Sequence, residues 1–286
     1  MDSSNDEIIY DFPPFIKVHK DGHVERYNEV ETVEAGYDPD TGVQSKDVVI
    51  SPESSIKARI FIPQINNPAH KLPLLVHYHG GGFCTGSAFQ IETKNFLTSL
   101  VSEVNIVAVS IDYRLAPEHP LPIAYEDSWA GLQWVATHFN GLGPDPWLNA
   151  HADFGRVVLA GESAGANTAH YVAIQAGSTG LAGLKIQGLI MVHPSFGGVE
   201  PRRMYKFLCP SSSGCDDDPK LNPAVDPNLK KMSADRVLIC VAEKDSMRFR
   251  GKVISSLINK PINDVKAAAL AEQVFNLLIG PANGVA

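Results

Sequence analysis

Apolar positions along this chain fall into two patterns. Short, nearly continuous apolar runs recur: "LPLLVHYH" (72–79), "NIVAVSIDY" (105–113), "RVVLAG" (156–161), "KIQGLIMVH" (185–193) and "RVLICVAE" (236–243). Runs of that length and continuity predict strands buried on both faces of a parallel sheet. Two further strands are predicted at "VVIS" (48–51) and "KARIFIP" (57–63). In the second, Ala58, Ile60 and Ile62 alternate with Lys57 and Arg59, the pattern of a half-exposed strand.

Between these runs the spacing turns helical. "NFLTSLVSEV" (95–104) is one candidate helix. "AYEDSWAGLQWVATHF" (124–139) sets Ala124, Trp129, Leu132, Trp134, Val135 and Phe139 on a broad stripe, with Glu126 and Asp127 in its first turn. "AGANTAHYVAIQAG" (164–177) is expected to end at Gly177. Alternating strands and helices of these lengths predict an α/β fold with a doubly wound, mostly parallel sheet. Ligands of such sheets bind beyond the carboxyl ends of the strands.

Residues 1–46 are polar, with turn signals at "DGH", "DPD" and "TG", and read as an N-terminal flap. At 286 residues and 44% hydrophobic, the chain is expected to form a single domain over 1–286. A net charge of −8 with no basic run argues against a nucleic-acid partner and against an anionic membrane surface. The acidic start lacks the basic and apolar regions of a secretory signal. No apolar run reaches the roughly 18 residues of a membrane span. Cys84, Cys209, Cys215 and Cys240 include no C-x-x-C pair. They read as reduced thiols of a cytoplasmic protein rather than a zinc site, with a Cys209–Cys215 disulfide as the lesser option.

Three stretches lie where a site belongs. In "HYHGGGF" (77–83), Gly80, Gly81 and Gly82 lack a Cβ, so their backbone N–H groups can approach an oxyanion. An ordinary glycine-rich turn is the alternative. In Gly161-Glu162-Ser163-Ala164-Gly165, a serine sits between a strand and a helix, the context of a G-x-S-x-G nucleophile elbow. The N–H of Ala164 can add a further oxyanion donor, while a helix cap is the plain alternative for Ser163. Asp245 follows the last strand, in the chain order serine, acid, histidine. Glu243 is the weaker candidate for that acid, and a solvated carboxylate or helix cap is the alternative for Asp245.

Five segments carry a resemblance. They are "FIKVHKDGHVER" (15–26), "HGGGFCTGSAF" (79–89), "SIDYRLAPEHPLPIAYEDSWAGLQWV" (110–135), "HADFGRVVLAGESAGAN" (151–167) and "LICVAEKDSMRFRG" (238–251). Through them the chain resembles the plant carboxylesterases of the hormone-sensitive-lipase-like group of α/β-hydrolases, to about Gly251. The resemblance implies the α/β-hydrolase fold, small-molecule ester substrates, and no metal or organic cofactor. It implies Ser163 and Asp245 as catalytic residues, and Gly81, Gly82 and Ala164 as the oxyanion hole. His79 and Gly80 are expected to support the oxyanion loop. The same group includes dehydratases, cyclases and hormone receptors that bind without hydrolysing.

Two departures stand against the family pattern. Residues 194–232, where the family has a lid, look shortened. The tail, 252–286, resembles nothing in the family. It offers Ala267, Leu270, Val274 and Leu277 at helical spacing after a cap at Asn263 or Asp264, hence one amphipathic helix in place of a strand, a histidine loop and a closing helix. No histidine follows His193. His193 is the leading substitute base, ahead of His79 and His170, and impaired catalysis is the expectation. Departures with such clean borders point to splicing or a mistaken gene model.

Overall fold

The computed structural model of the chain describes residues 7–67, 69–197, 202–241 and 262–263. The first elements are β1 (Ile8–Phe12), β2 (Ile16–His19) and β3 (Val24–Arg26), which form a three-stranded antiparallel sheet. The polar segment expected to be a flap thus holds a sheet, and it anchors in the core. Ile16 is fully buried and Val18 nearly so. Arg26 fixes the sheet to the rest of the molecule, with two 2.9 Å bonds to Glu118 and a 2.8 Å bond to the Cys84 carbonyl.

The main sheet is built from β4 (Gln44–Ser51), β5 (Ile56–Ile62), β6 (Leu72–Tyr78), β7 (Val107–Asp112), β8 (Ala152–Glu162), β9 (Ile186–Val192), β10 (Arg236–Cys240) and β11 (Ile262–Asn263). Its order is β11-β10-β9-β8-β6-β7-β5-β4. All pairs from β7 through β6 to β11 are parallel, and β5 and β4 add antiparallel. The short β11 adds a strand that the tail's periodicity did not predict. The amphipathic helix expected after it lies outside the described residues.

Strict alternation within β6 divides the interior in two. Leu74, Val76 and Tyr78 face one core, and Leu75 faces the other. The first core is covered by α2 (Ile123–Ala136) and α4 (Ala164–Thr179), the second by α1 (Ile91–Val104). A short α3 (Pro146–His151) leads into β8, its first N–H groups capped by Asp145. Both faces being covered is why the central strands read as unbroken apolar runs.

Three local expectations are corrected. Arg59 does not face solvent. It is 1% exposed, forked onto Asp47 at 2.7 and 2.9 Å, and donates to the Val33 carbonyl at 2.8 Å. The stripe on α2 stops short of Phe139, which lies past the helix and is half exposed, while Asp127 is buried and clamps Arg114 through 2.8 and 2.7 Å bonds. Finally, α4 runs through Gly177 to a cap at Gly180, whose φ of 74° suits glycine. Gly177 instead makes room for a neighbour: a Cβ there would lie 1.6 Å from the Lys231 carbonyl oxygen.

Candidate active site

The site follows from one pairing in the sheet. β6 and β8 are parallel neighbours, with Tyr78 opposite Gly161. Whatever follows each strand must therefore emerge side by side. After β6 comes the glycine string, and after β8 comes the serine turn.

The turn is tight in every direction. Ser163 has φ 51° and ψ −113°, a strained conformation for a residue with a side chain. Its N–H donates to the Val192 carbonyl at 2.8 Å, and its carbonyl accepts from Ser195 N–H at 3.1 Å and Asn167 N–H at 3.2 Å. A Cβ on Gly161 would sit 2.2 Å from the Gly165 oxygen, and one on Gly165 would sit 2.0 Å from the Tyr78 oxygen. The two glycines let strand, turn and helix overlap closely enough to lift the serine out of the sheet.

The glycine string is held by the residues around it. The His79 ring stacks on Tyr113 at 4.2 Å and 6°, and its Nδ1 lies 2.8 Å from the Gly80 carbonyl. Tyr113 donates its hydroxyl to the His79 carbonyl at 2.6 Å. Gly80 meets Glu162, through N–H to Oε1 at 3.4 Å. Gly81 and Gly82 have φ of 108° and 62°. The Gly81 carbonyl accepts from the Cys84 and Thr85 N–H groups. The N–H groups of Gly81, Gly82 and Ala164 donate to no group among the described residues.

A cavity of about 290 Å³ opens beside Ser163 and Gly82. Phe15 from the turn between β1 and β2, Phe83, and side chains of α5 (Arg203–Leu208) form most of its walls. Of the expected lid, residues 202–232 supply this helix and two single 3-10 turns. Asn167, which the sequence reading passed over, ties this cover to the serine turn. It accepts from Tyr125 Oη at 2.8 Å and donates to the Ser195 and Lys220 carbonyls at 2.9 and 2.7 Å. Its one signal in the sequence is an amide one turn past the serine.

The candidate bases are less well served. Among the described residues, Ser163 makes hydrogen bonds only through its backbone. His193 follows β9 directly with φ 46° and donates its N–H to the Cys240 carbonyl at 2.8 Å, and it is not one of the residues lining the cavity. Burial holds His79 below its usual range, as expected of a neutral ring that shapes the loop. His170 lies edge-on against Phe196, with burial lowering it to about 4. Asp245 and Glu243 lie outside the described residues, and β10, the strand that leads to them, ends at Cys240. All four cysteines are free thiols. Among the described residues there is no cluster of three or more metal-ligating side chains, and no helix is long and apolar enough to cross a membrane.

The buried histidines carry a pH signature. His170 titrates at about 4 in the folded chain, against about 6.5 when unfolded. As pH falls through 6.5, the unfolded chain binds a proton that the folded one refuses. Stability is therefore full above pH 6.5 and declines as pH falls toward 4. By pH 5 the loss is about 2 kcal/mol from this residue. Urea midpoints at pH 7 and pH 5 should show a smaller drop in a His170→Met variant than in the parent. An equal drop would remove His170 from the account.

The parallel sheet, the serine lifted after β8 and the glycine string after β6 define an α/β-hydrolase. A family model described as the alpha/beta hydrolase fold matches residues 75–278. The chain is 41% identical over 271 residues to the 2-hydroxyisoflavanone dehydratase of Glycyrrhiza echinata, covering 87% of this chain and 83% of that protein. It is 43% identical over 298 residues to probable carboxylesterase 1 of Arabidopsis thaliana, covering 97% and 92%. That alignment is longer than the chain, so the relative carries residues this chain lacks. It also runs past Gly251, where the sequence motifs stop. The esterase of the archaeon Pyrobaculum calidifontis superposes with a TM-score of 0.62 at 25% identity, covering 82% of this chain and 85% of that one. The chain belongs to the plant carboxylesterases of the hormone-sensitive-lipase-like group.

Proposed function

We propose that this chain is a carboxylic ester hydrolase of low catalytic power, acting on small-molecule esters in the cytoplasm through an acyl-serine. The observation that carries the reading is Ser163, strained at the end of β8 and lining a cavity beside Gly82. Ser163 attacks the ester carbonyl. The free N–H groups of Gly81, Gly82 and Ala164 receive the negative charge that develops on its oxygen. His79 and Gly80 keep that loop in shape. Asp245 is the acid that would orient a base, and the shortened cover over 194–232 sets the pocket's reach. The four free thiols fit a reducing compartment. Low power follows from the base, since none of the ten histidines bonds Ser163 Oγ.

A fluorophosphonate tests the nucleophile. Intact-mass measurement should show one adduct that forms slowly on the purified chain and is missing from Ser163→Ala. Absence of any adduct on folded protein, even after prolonged exposure at alkaline pH, would sink the acyl-serine reading. A second reading has support of its own. The missing base and the relative named a dehydratase favour a pocket that eliminates water, or only holds a ligand, without acylating Ser163.

A further inference from the structure

The walls of the cavity beside Ser163 are uncharged except at one place, with the hydroxyls of Ser163, Ser195 and Tyr205 as the neutral polar groups. Phe15, Phe83, Met204 and Leu208 give no charge. The charged groups lining it are two guanidiniums in sequence, Arg202 and Arg203, and no acidic side chain joins them among the described residues. In a chain of net charge −8, two adjacent cations at the wall of the reactive pocket run against the overall balance.

The two arginines are placed differently. Arg202 is anchored. Its N–H donates to the Gly214 carbonyl at 2.9 Å, and its Nη1 donates to Ser195 Oγ at 3.1 Å. Ser195 in turn donates its N–H to the Ser163 carbonyl at 3.1 Å. One residue therefore couples the guanidinium to the serine turn. Arg203 opens α5, is exposed, and forms no ion pair among the described residues. Its side chain lines the cavity with its charge paired to no acidic group among the described residues.

We infer that this pocket selects ligands that join an apolar body to a free carboxylate, with Arg203 meeting the carboxylate and Arg202 fixing the place where it is met. The apolar body fills the space between Phe15, Phe83 and Leu208. A guanidinium fork matches a carboxylate in shape as well as charge, and the bonds it forms are stronger than neutral ones. For the hydrolase, the favoured substrates are then half-esters, with one carboxyl esterified and a second left free. The inference rests on reading this cavity as the substrate site.

The test reads binding alone, so a catalytic failure does not confuse it. Calorimetric titration at low salt compares 4-phenylbutyrate with its neutral isostere, 4-phenylbutyramide. The acid should bind about tenfold tighter, the gain of one charge-assisted contact. In Arg203→Ala the preference should shrink toward one, and in Arg203→Glu it should reverse. Arg203 is exposed, so both variants should melt like the parent. Arg202→Lys keeps the charge but loses the fork, and should keep only part of the preference. Equal affinity for acid and amide, a preference that survives in the Arg202→Ala, Arg203→Ala double variant, or no binding of either compound overturns the inference. A carboxylate preference in a protein that the fluorophosphonate leaves unlabelled sinks the hydrolase reading and leaves the anion site standing.

Discussion

Turnover of p-nitrophenyl butyrate by this chain is expected to fall about 10⁶-fold below that of a complete serine triad, while staying about 10³-fold above water. The surplus over water comes from the oxyanion donors and from binding. On the proposed reading the deficit would come from Ser163, whose hydroxyl is hydrogen-bonded to no histidine among the described residues. The pH profile separates this from ordinary weak activity. An internal imidazole gives a rate that levels off above its own pKa. Without one, hydroxide from solution must do the work, and kcat/KM should climb about tenfold per pH unit from 7 to 9. Added imidazole should raise the rate in proportion to its concentration, and Ser163→Ala should remove both effects. A plateau near pH 7 with fast turnover would mean that a base, His193 foremost, reaches the serine after all.

Gly165→Ala should be the most damaging single-methyl change near the site. The new Cβ would meet the Tyr78 oxygen at 2.0 Å and the His79 oxygen at 2.5 Å. Both are backbone atoms at the end of β6, so neither can turn aside as a side chain would. Relief requires α4 to lift from the central strand over which it crosses. The expected loss exceeds about 4 kcal/mol, a large share of the 5–15 kcal/mol that holds a typical domain. The variant should be insoluble, or should melt far below the parent. Gly36→Ala, where a Cβ has nothing within 4 Å, is the control and should melt within a degree or two. Similar melting of the two variants would mean that the elbow is looser than its contacts imply.

A residue's place was legible in the sequence where its environment is set by its own strand or turn. The five apolar runs are strands because both faces of the sheet are covered, and burial on both sides writes itself into every position. Ser163 and its flanking glycines were legible because the turn leaves no room for a Cβ. Arg59 was misread because its burial depends on Asp47, Val33 and the ring of Phe89, none of them its neighbours in sequence. Gly177 looked like a helix stop, yet its partner is a carbonyl far along the chain at Lys231. The N-terminal sheet was hidden because β1 is mostly exposed and carries no clean alternation. Cavity walls leave no period at all, so Phe15 and the arginines emerged only in three dimensions.

The cavity wall is shared between Phe15, from the turn that joins β1 to β2 of the small sheet, and α5, from the segment after β9. Neither belongs to the framework that bends Ser163 into place. Chemistry and admission are thus held on distinct pieces, joined at Asn167 and Ser195. Exchanging the opening segment or the cover among relatives, with the Asn167 and Ser195 bonds kept, should transplant ligand preference onto the same reaction centre. A lineage carrying this framework can change what it accepts without relearning how it reacts.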